Sequence, residues 1–183
     1  TLTAVDSDSG VPLSIAVPTK SATFEYNVKA FYEFIRRMCH STVTIRSDGE
    51  PAILEIVNKV RDKRTKDLGL VTHVQKTPRY SSQSVGQVAA IQKAVQGQTR
   101  TLRFATESQY GIQLTPGHQA WPWLVRHAGW LVEMYHVKAN GRTPRQEALG
   151  SPYSGSIVPF GETVLFRQSF SASGRKPGGL RAQ

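Results

Sequence analysis

Thr42-Val43-Thr44-Ile45-Arg46-Ser47-Asp48-Gly49-Glu50-Pro51-Ala52-Ile53-Leu54-Glu55-Ile56-Val57-Asn58-Lys59-Val60 reads as a strand, a turn and a helix in immediate succession. Four of its first five residues are β-branched, which suits a pleated, half-buried strand. Ser47 to Glu50 has turn chemistry, and Pro51 fits the first turn of a helix, where its missing amide hydrogen costs nothing. Ile53, Ile56, Val57 and Val60 then recur on one helical face. Asp48 lies where open α/β sheets assemble their sites, just beyond the carboxyl end of a strand. Two roles suit it there. A carboxylate can hold a hard divalent cation, or it can cap the following helix by accepting free amide hydrogens.

Outward from this stretch, residues 2–6 and 13–17 alternate apolar with small or polar groups around Ser7-Asp8-Ser9-Gly10, which predicts a β-hairpin. Phe24, Val28, Phe31, Ile35 and Met38 follow at steps of four and three, predicting a helix over 23–38. Residues 61–67, rich in charge, read as a solvated end or loop, and 70–74 as the next strand. A helical pattern returns over 85–104 with Gly97 weakening its middle. A second stripe runs through Trp121, Leu124, Val125, Ala128, Leu131, Val132 and Tyr135. Beyond Asn140-Gly141 the chain is punctuated by Gly and Pro. Residues 158–166 could supply one or two strands, and 169–183 reads as a basic flexible tail. A hairpin leading into alternating strands and helices predicts a mixed α/β sheet covered by helices.

The 183 residues suit one domain with a short appendage. The chain begins without methionine, which suggests a fragment. No run is long and apolar enough for a bilayer-spanning helix, so no membrane partner is expected. Lys and Arg number 23 against 13 Asp and Glu, a net charge of +10. The excess is uneven: residues 1–90 hold 12 bases and 9 acids, whereas residues 91–183 hold 11 and 4. Such a balance favours a polyanionic partner, because neutralised phosphates release counterions. A solvated basic surface is the plainer account. Cys39 is the only cysteine, which excludes an internal disulfide and multi-cysteine zinc sites.

Several eye-catching residues carry little chemistry. His73, His118, His127 and His136 form no close ligand pair with a suitable third residue, and Cys39-His40 lacks zinc-knuckle spacing. Ser81 and Ser84 have no His and acid partners for hydrolysis. Trp121 lies on the apolar stripe and reads as core, whereas Trp123 and Trp130 fall off it and face another subunit or domain, or stack bases.

Four short motifs occur in a meaningful order. Thr3-Ala4-Val5-Asp6 with Ser9-Gly10, Arg46-Ser47-Asp48-Gly49, Gln83-Ser84-Val85-Gly86, and Gly141-Arg142-Thr143-Pro144 with Pro159-Phe160-Gly161 span roughly residues 1–167. Together they resemble the integrase catalytic core of a copia-type retrotransposon Pol polyprotein, of the RNase H-like superfamily. The resemblance implies an α/β fold with an RNase H-like mixed sheet flanked by helices and a short irregular or β C-terminal extension. Residues 1–140 would be the core with its first strand missing, 141–168 the extension with short strands, and 169–183 the tail. It also implies metal-dependent DNA strand transfer with Mg²⁺ or Mn²⁺, two ions held by three carboxylates.

Only Asp48 of those carboxylates is present as catalytic and metal-binding residue. The first Asp belongs upstream of Thr1, Asp6 matches a non-catalytic position, and Ala89 occupies the place of the family Glu. The expectation is therefore a degenerate or truncated integrase core, inactive by itself. The alternative is a non-catalytic nucleic-acid-binding or assembly module on the same fold. Lys93, Gln96, Arg100 and Arg103 are the expected phosphate contacts, unless they are simply a solvated helix face. DNA, a homo-oligomer and other parts of a retrotransposon polyprotein are the partners implied, in a nuclear or cytoplasmic particle.

Overall fold

A computed structural model describes residues 1–77, 82–115, 117–166 and 181–182. Strand β1 (Leu2–Val5) pairs antiparallel with β2 (Pro12–Ile15), in the register Leu2 to Ile15 and Val5 to Pro12. The turn between them forms because Asp6 accepts from the Ser9 amide at 2.9 Å and its hydroxyl at 2.5 Å. Gly10 supplies the left-handed φ of 81° that the return needs. Helix α1 (Glu25–Arg37) leads to β3 (Thr42–Ser47), α2 (Pro51–Leu68) and β4 (Val71–Lys76). Strands β3 and β4 pair in parallel, Thr42 with Val71 through Ser47 with Lys76. The long α3 (Ser82–Tyr110), α4 (Trp121–Tyr135) and short α5 (Pro144–Leu149) follow. A small pair, β5 (Leu165–Phe166) with β6 (Arg181–Ala182), completes the described elements.

The class is mixed α/β, but the sheet is divided. Instead of one continuous mixed sheet, β1–β2 and β3–β4 are separate two-stranded sheets. Two contacts fix their relative direction. His40, just before β3, meets Asp6, just after β1, at 3.3 Å. Lys20, beyond β2, meets Glu50, beyond β3, at 3.1 Å. Thus β2 runs with β3, and β1 runs against it.

Period-two alternation distributes the hydrophobic side chains between two helical layers. On one side Ala4, Leu13, Val43, Ile45 and Val74 join the buried faces of α1 (Phe31, Tyr32, Phe34, Ile35) and α2 (Ile56, Val57, Val60). On the other, Val5 packs with Ile91 and Val95 of α3 and with Ala128 and Val132 of α4. Gly129 lets α4 approach β2: a Cβ there would sit 3.3 Å from that of Ser14.

Two local expectations are corrected. The charged run 61–67 is helical, and Arg64 within it is only 2% exposed. Its Nη1 donates to Val71 O at 2.6 Å and Thr72 Oγ1 at 3.0 Å, and its Nη2 to the carbonyls of His40 and Ser41. Gly97 lies inside a continuous α3, as expected, with Val95, Thr99 and Thr106 buried on either side of it. In the extension, residues 158–164 form no strand. What orders it instead is α5, capped at both ends of a Thr143–Gln146 box, with Pro144 at its first position. An aromatic cluster then docks it: Tyr153 stands edge-on to Trp130 at 5.3 Å, and Phe160 lies 5.6 Å from His127. Apart from 181–182, the tail at 169–183 lies outside the described residues, as do Pro78 to Ser81.

Arg64 is the test of this packing. Arg64→Ala leaves buried carbonyls without a donor and should lower the unfolding free energy by about 2–4 kcal/mol in urea titrations. Arg64→Lys should recover little, since an ammonium cannot reproduce the guanidinium fork. An Ala variant within about 0.5 kcal/mol of the parent would remove the clamp from the account.

Candidate functional site

A cleft of about 480 Å³ opens between the two sheets. Residues of β1 and β3 form its sides, α1 and α2 contribute Phe31, Phe34, Ile35 and Val57, and Val88, Ala89 and Gln92 of α3 reach it from the other layer. Asp48 and Glu50 lie at its β3 carboxyl end. Asp6 and His40 mark the opposite end, because β1 and β3 run in opposite directions.

Asp48 is placed by the parallel pair and the turn after it. Thr77 N donates to Ser47 O at 2.8 Å, closing the end of the β3–β4 ladder. Gly49 turns the chain at φ 82°, and Asp48 Oδ1 accepts from the Glu50 amide at 3.2 Å. This bond closes the turn and does not cap the helix: the N-cap of α2 is Glu50, two residues on, and it carries no side-chain cap. Ala89 lines the same cleft from α3. The structure thus brings together the two positions singled out as second and third carboxylates, with a methyl group at one of them.

This donor set does not fit a two-ion centre. Glu50, the other carboxylate at that end, is held by Lys20. Asp6 is separated from Asp48 by the length of the six-residue β3, roughly 20 Å of strand. A single exposed carboxylate cannot bridge two divalent ions.

Asp6, Asp8 and His40 do converge, with one ligand-type atom of each within 4.8 Å of the others. Sequence spacing hid this, since His40 arrives from 34 residues away. The arrangement is explained by structure: Asp6 Oδ2 holds Ser9, and Oδ1 faces His40. Burial pushes the Asp6 carboxyl upward in pKa, but the Ser9 bonds and the His40 charge outweigh it and leave the pKa lowered.

The basic residues lie along α3. At 100° per residue, Gln92, Lys93, Gln96, Arg100 and Arg103 all fall within about 60° of Ala89 around the helix. Lys93, Gln96, Arg100 and Arg103 are exposed. Gln96 and Arg100 border a second hollow of about 410 Å³, shared with Thr1, Thr3 and Trp121. Arg103 is already engaged: it pairs with Glu107 at 2.9 Å and lies 5.7 Å from the centre of the Trp121 ring. Trp121 in turn donates to Thr115 O, so it is a half-buried strut and not deep core. Trp123 stands 67% exposed, whereas Trp130 is covered by the extension.

No protein-family model matches the sequence, and no curated protein matches it. Among solved structures, the chain is similar to a chain of the simian T-cell lymphotropic virus intasome in complex with PP2A regulatory subunit B56 gamma. The TM-score is 0.52 at 15% identity, over 89% of this chain and 54% of that one. The likeness is one of fold: this chain spans about half the length of its neighbour. No described helix is long and apolar enough to cross a membrane.

Asp6→Ala should cost about 1–2 kcal/mol at pH 7, as a turn acceptor is lost. Because its folded pKa lies below the ordinary 3.8, the contribution is present above that value and lost as pH falls through the folded one. Denaturant titrations should therefore show parent and variant converging in strong acid. An equal gap at pH 7 and in acid would exclude a role for the ionised carboxylate.

Proposed function

We propose that this chain is an integrase-type core, of the copia-type retrotransposon lineage, that binds DNA along α3 and does not by itself join or cleave it. The observation that carries the reading is the meeting of Asp48 and Ala89 on one cleft, in a chain whose fold resembles that of an intasome chain. Support for the finer lineage comes from Gly141-Arg142-Thr143-Pro144 and Pro159-Phe160-Gly161, residues that now have physical work: Thr143 and Pro144 start α5, and Phe160 packs on His127. Ala89 at the place of the family Glu favours the non-catalytic reading for the chain as it stands. With one acid at the strand end, nothing neutralises both the attacking and leaving oxygens of a phosphodiester.

Binding in this reading is electrostatic. Among the described residues, Lys93 and Arg100 make no ion pair, so their charges face solvent beside the cleft. Each phosphate neutralised contributes about 0.9 to the slope of log affinity against log salt. Fluorescence anisotropy with duplex DNA should give affinity that falls steeply with salt. The double variant Lys93→Ala, Arg100→Ala should flatten that slope by about 1.8. An unchanged slope would move the DNA-binding face elsewhere. Strand transfer by the unaltered chain with Mn²⁺ would overturn the inactive reading.

A further inference from the structure

We propose that the hollow between the β1–β2 hairpin and helices α3 and α4 is a nucleotide pocket, which takes one unpaired base of the DNA lying along α3. This rests on the reading that DNA binds there, and it adds a feature of the substrate: a base out of the stack. The space follows from residue size. At the turn end of the hairpin Val5 fills this layer against Ile91, Val95, Ala128 and Val132. Towards the open end the same face of the sheet carries Thr3, Ser14 and Ala16, smaller groups that leave the layer part-filled. A hollow of about 410 Å³ remains, a size within the range of ligand pockets. A further strand would add to the sheet along its edge, whereas this hollow lies on its face.

The lining suits a base. Trp121 offers a rigid ring, because its indole N–H donates to Thr115 O and the Arg103 guanidinium lies 5.7 Å from the ring centre. Stacking on an aromatic side chain adds affinity for unpaired nucleic acid whichever base is presented. Val95 and Val125 supply an apolar wall. Gln92 and Gln96, one turn apart on α3, bring carboxamides, which offer a donor and an acceptor together and match the edge of adenine. Ser14 gives a second, independent sign. It lines the hollow, is 5% exposed, and its buried Oγ has no hydrogen-bond partner. Thr99, reaching the hollow from α3, has its hydroxyl committed to Val95 O at 2.7 Å. Buried hydroxyls are nearly always paired, and a polar atom of the entering base is the partner the hollow would supply. Arg100 borders the same space and is exposed, so it can hold the phosphate of the nucleotide whose base enters. A paired base is kept out, since its partner and stacked neighbours hold it in the duplex.

The probe is a fluorescein-labelled duplex with one unpaired adenine, titrated with the full chain and followed by anisotropy. It is compared with a fully paired duplex of the same sequence and with the same bulge made abasic. The unpaired adenine should tighten binding about tenfold. The abasic bulge should bind like the paired duplex. Ala16→Leu, which fills the hollow from β2, should abolish the preference and leave affinity for the paired duplex unchanged. Equal affinity for bulged and paired duplexes would overturn the pocket and leave binding along α3 standing. A gain kept by the abasic bulge would overturn it as well, since the gain would then come from bending of the duplex. So would a preference that survives in a folded Ala16→Leu chain. Binding to none of the three duplexes would overturn both the pocket and the DNA-binding reading beneath it.

Discussion

The placement of the parallel strand pair depends on a guanidinium buried among carbonyls. Arg64 reaches from α2 to His40 and Ser41 before β3, and to Val71 and Thr72 at the start of β4. A charge removed from water needs several oriented dipoles in exchange, and four acceptors provide them. Burial lowers the Arg64 pKa from its ordinary value, yet an arginine stays charged at neutral pH. By tying both strand starts to one helix, the side chain sets the β3–β4 register. That register determines where Ser47 ends and Asp48 begins.

The site follows from the same geometry. A parallel pair delivers Asp48 to the cleft mouth, and α3 crosses the opposite layer with Ala89 turned towards it. The hairpin brings β1 alongside in the reverse direction, which puts Asp6 at the wrong end to act with Asp48. The exposed basic residues of α3 and the methyl group of Ala89 therefore share one face of the helix. The extension contributes by packing, with Tyr153 and Phe160 closing over Trp130 and His127.

Much of this was legible in residue order. Period-two and period-3.6 patterns located the hairpin, β3, α2 and the bounds of α4, because each buries a single face. Arg64 was missed since its neighbours are charged. Its spacing of four from Val60 and eight from Ile56 places it on the buried stripe, and that was the available signal. The capping box Thr143-x-x-Gln146 was likewise visible and was passed over. Asp48 and Ala89 could be singled out from motif order, whereas the approach of Asp6 to His40 rests on tertiary folding across 34 residues. The divided sheet was marked only through the resemblance, which implies a core lacking its first strand. An edge is defined by which strand is beside it, and no pattern within β1 or β3 records that.

The central structural claim is that, among the described residues, β1 pairs only with β2 and β3 only with β4, and amide hydrogen exchange of the chain reads it residue by residue. The account predicts alternation within Leu2–Val5 and Thr42–Ser47: amides bonded to β2 or β4 exchange slowly, and those turned to the cleft exchange fast. Uniform protection along both strands, independent of protein concentration, would mean that the half-sheets are joined directly, and would contradict it.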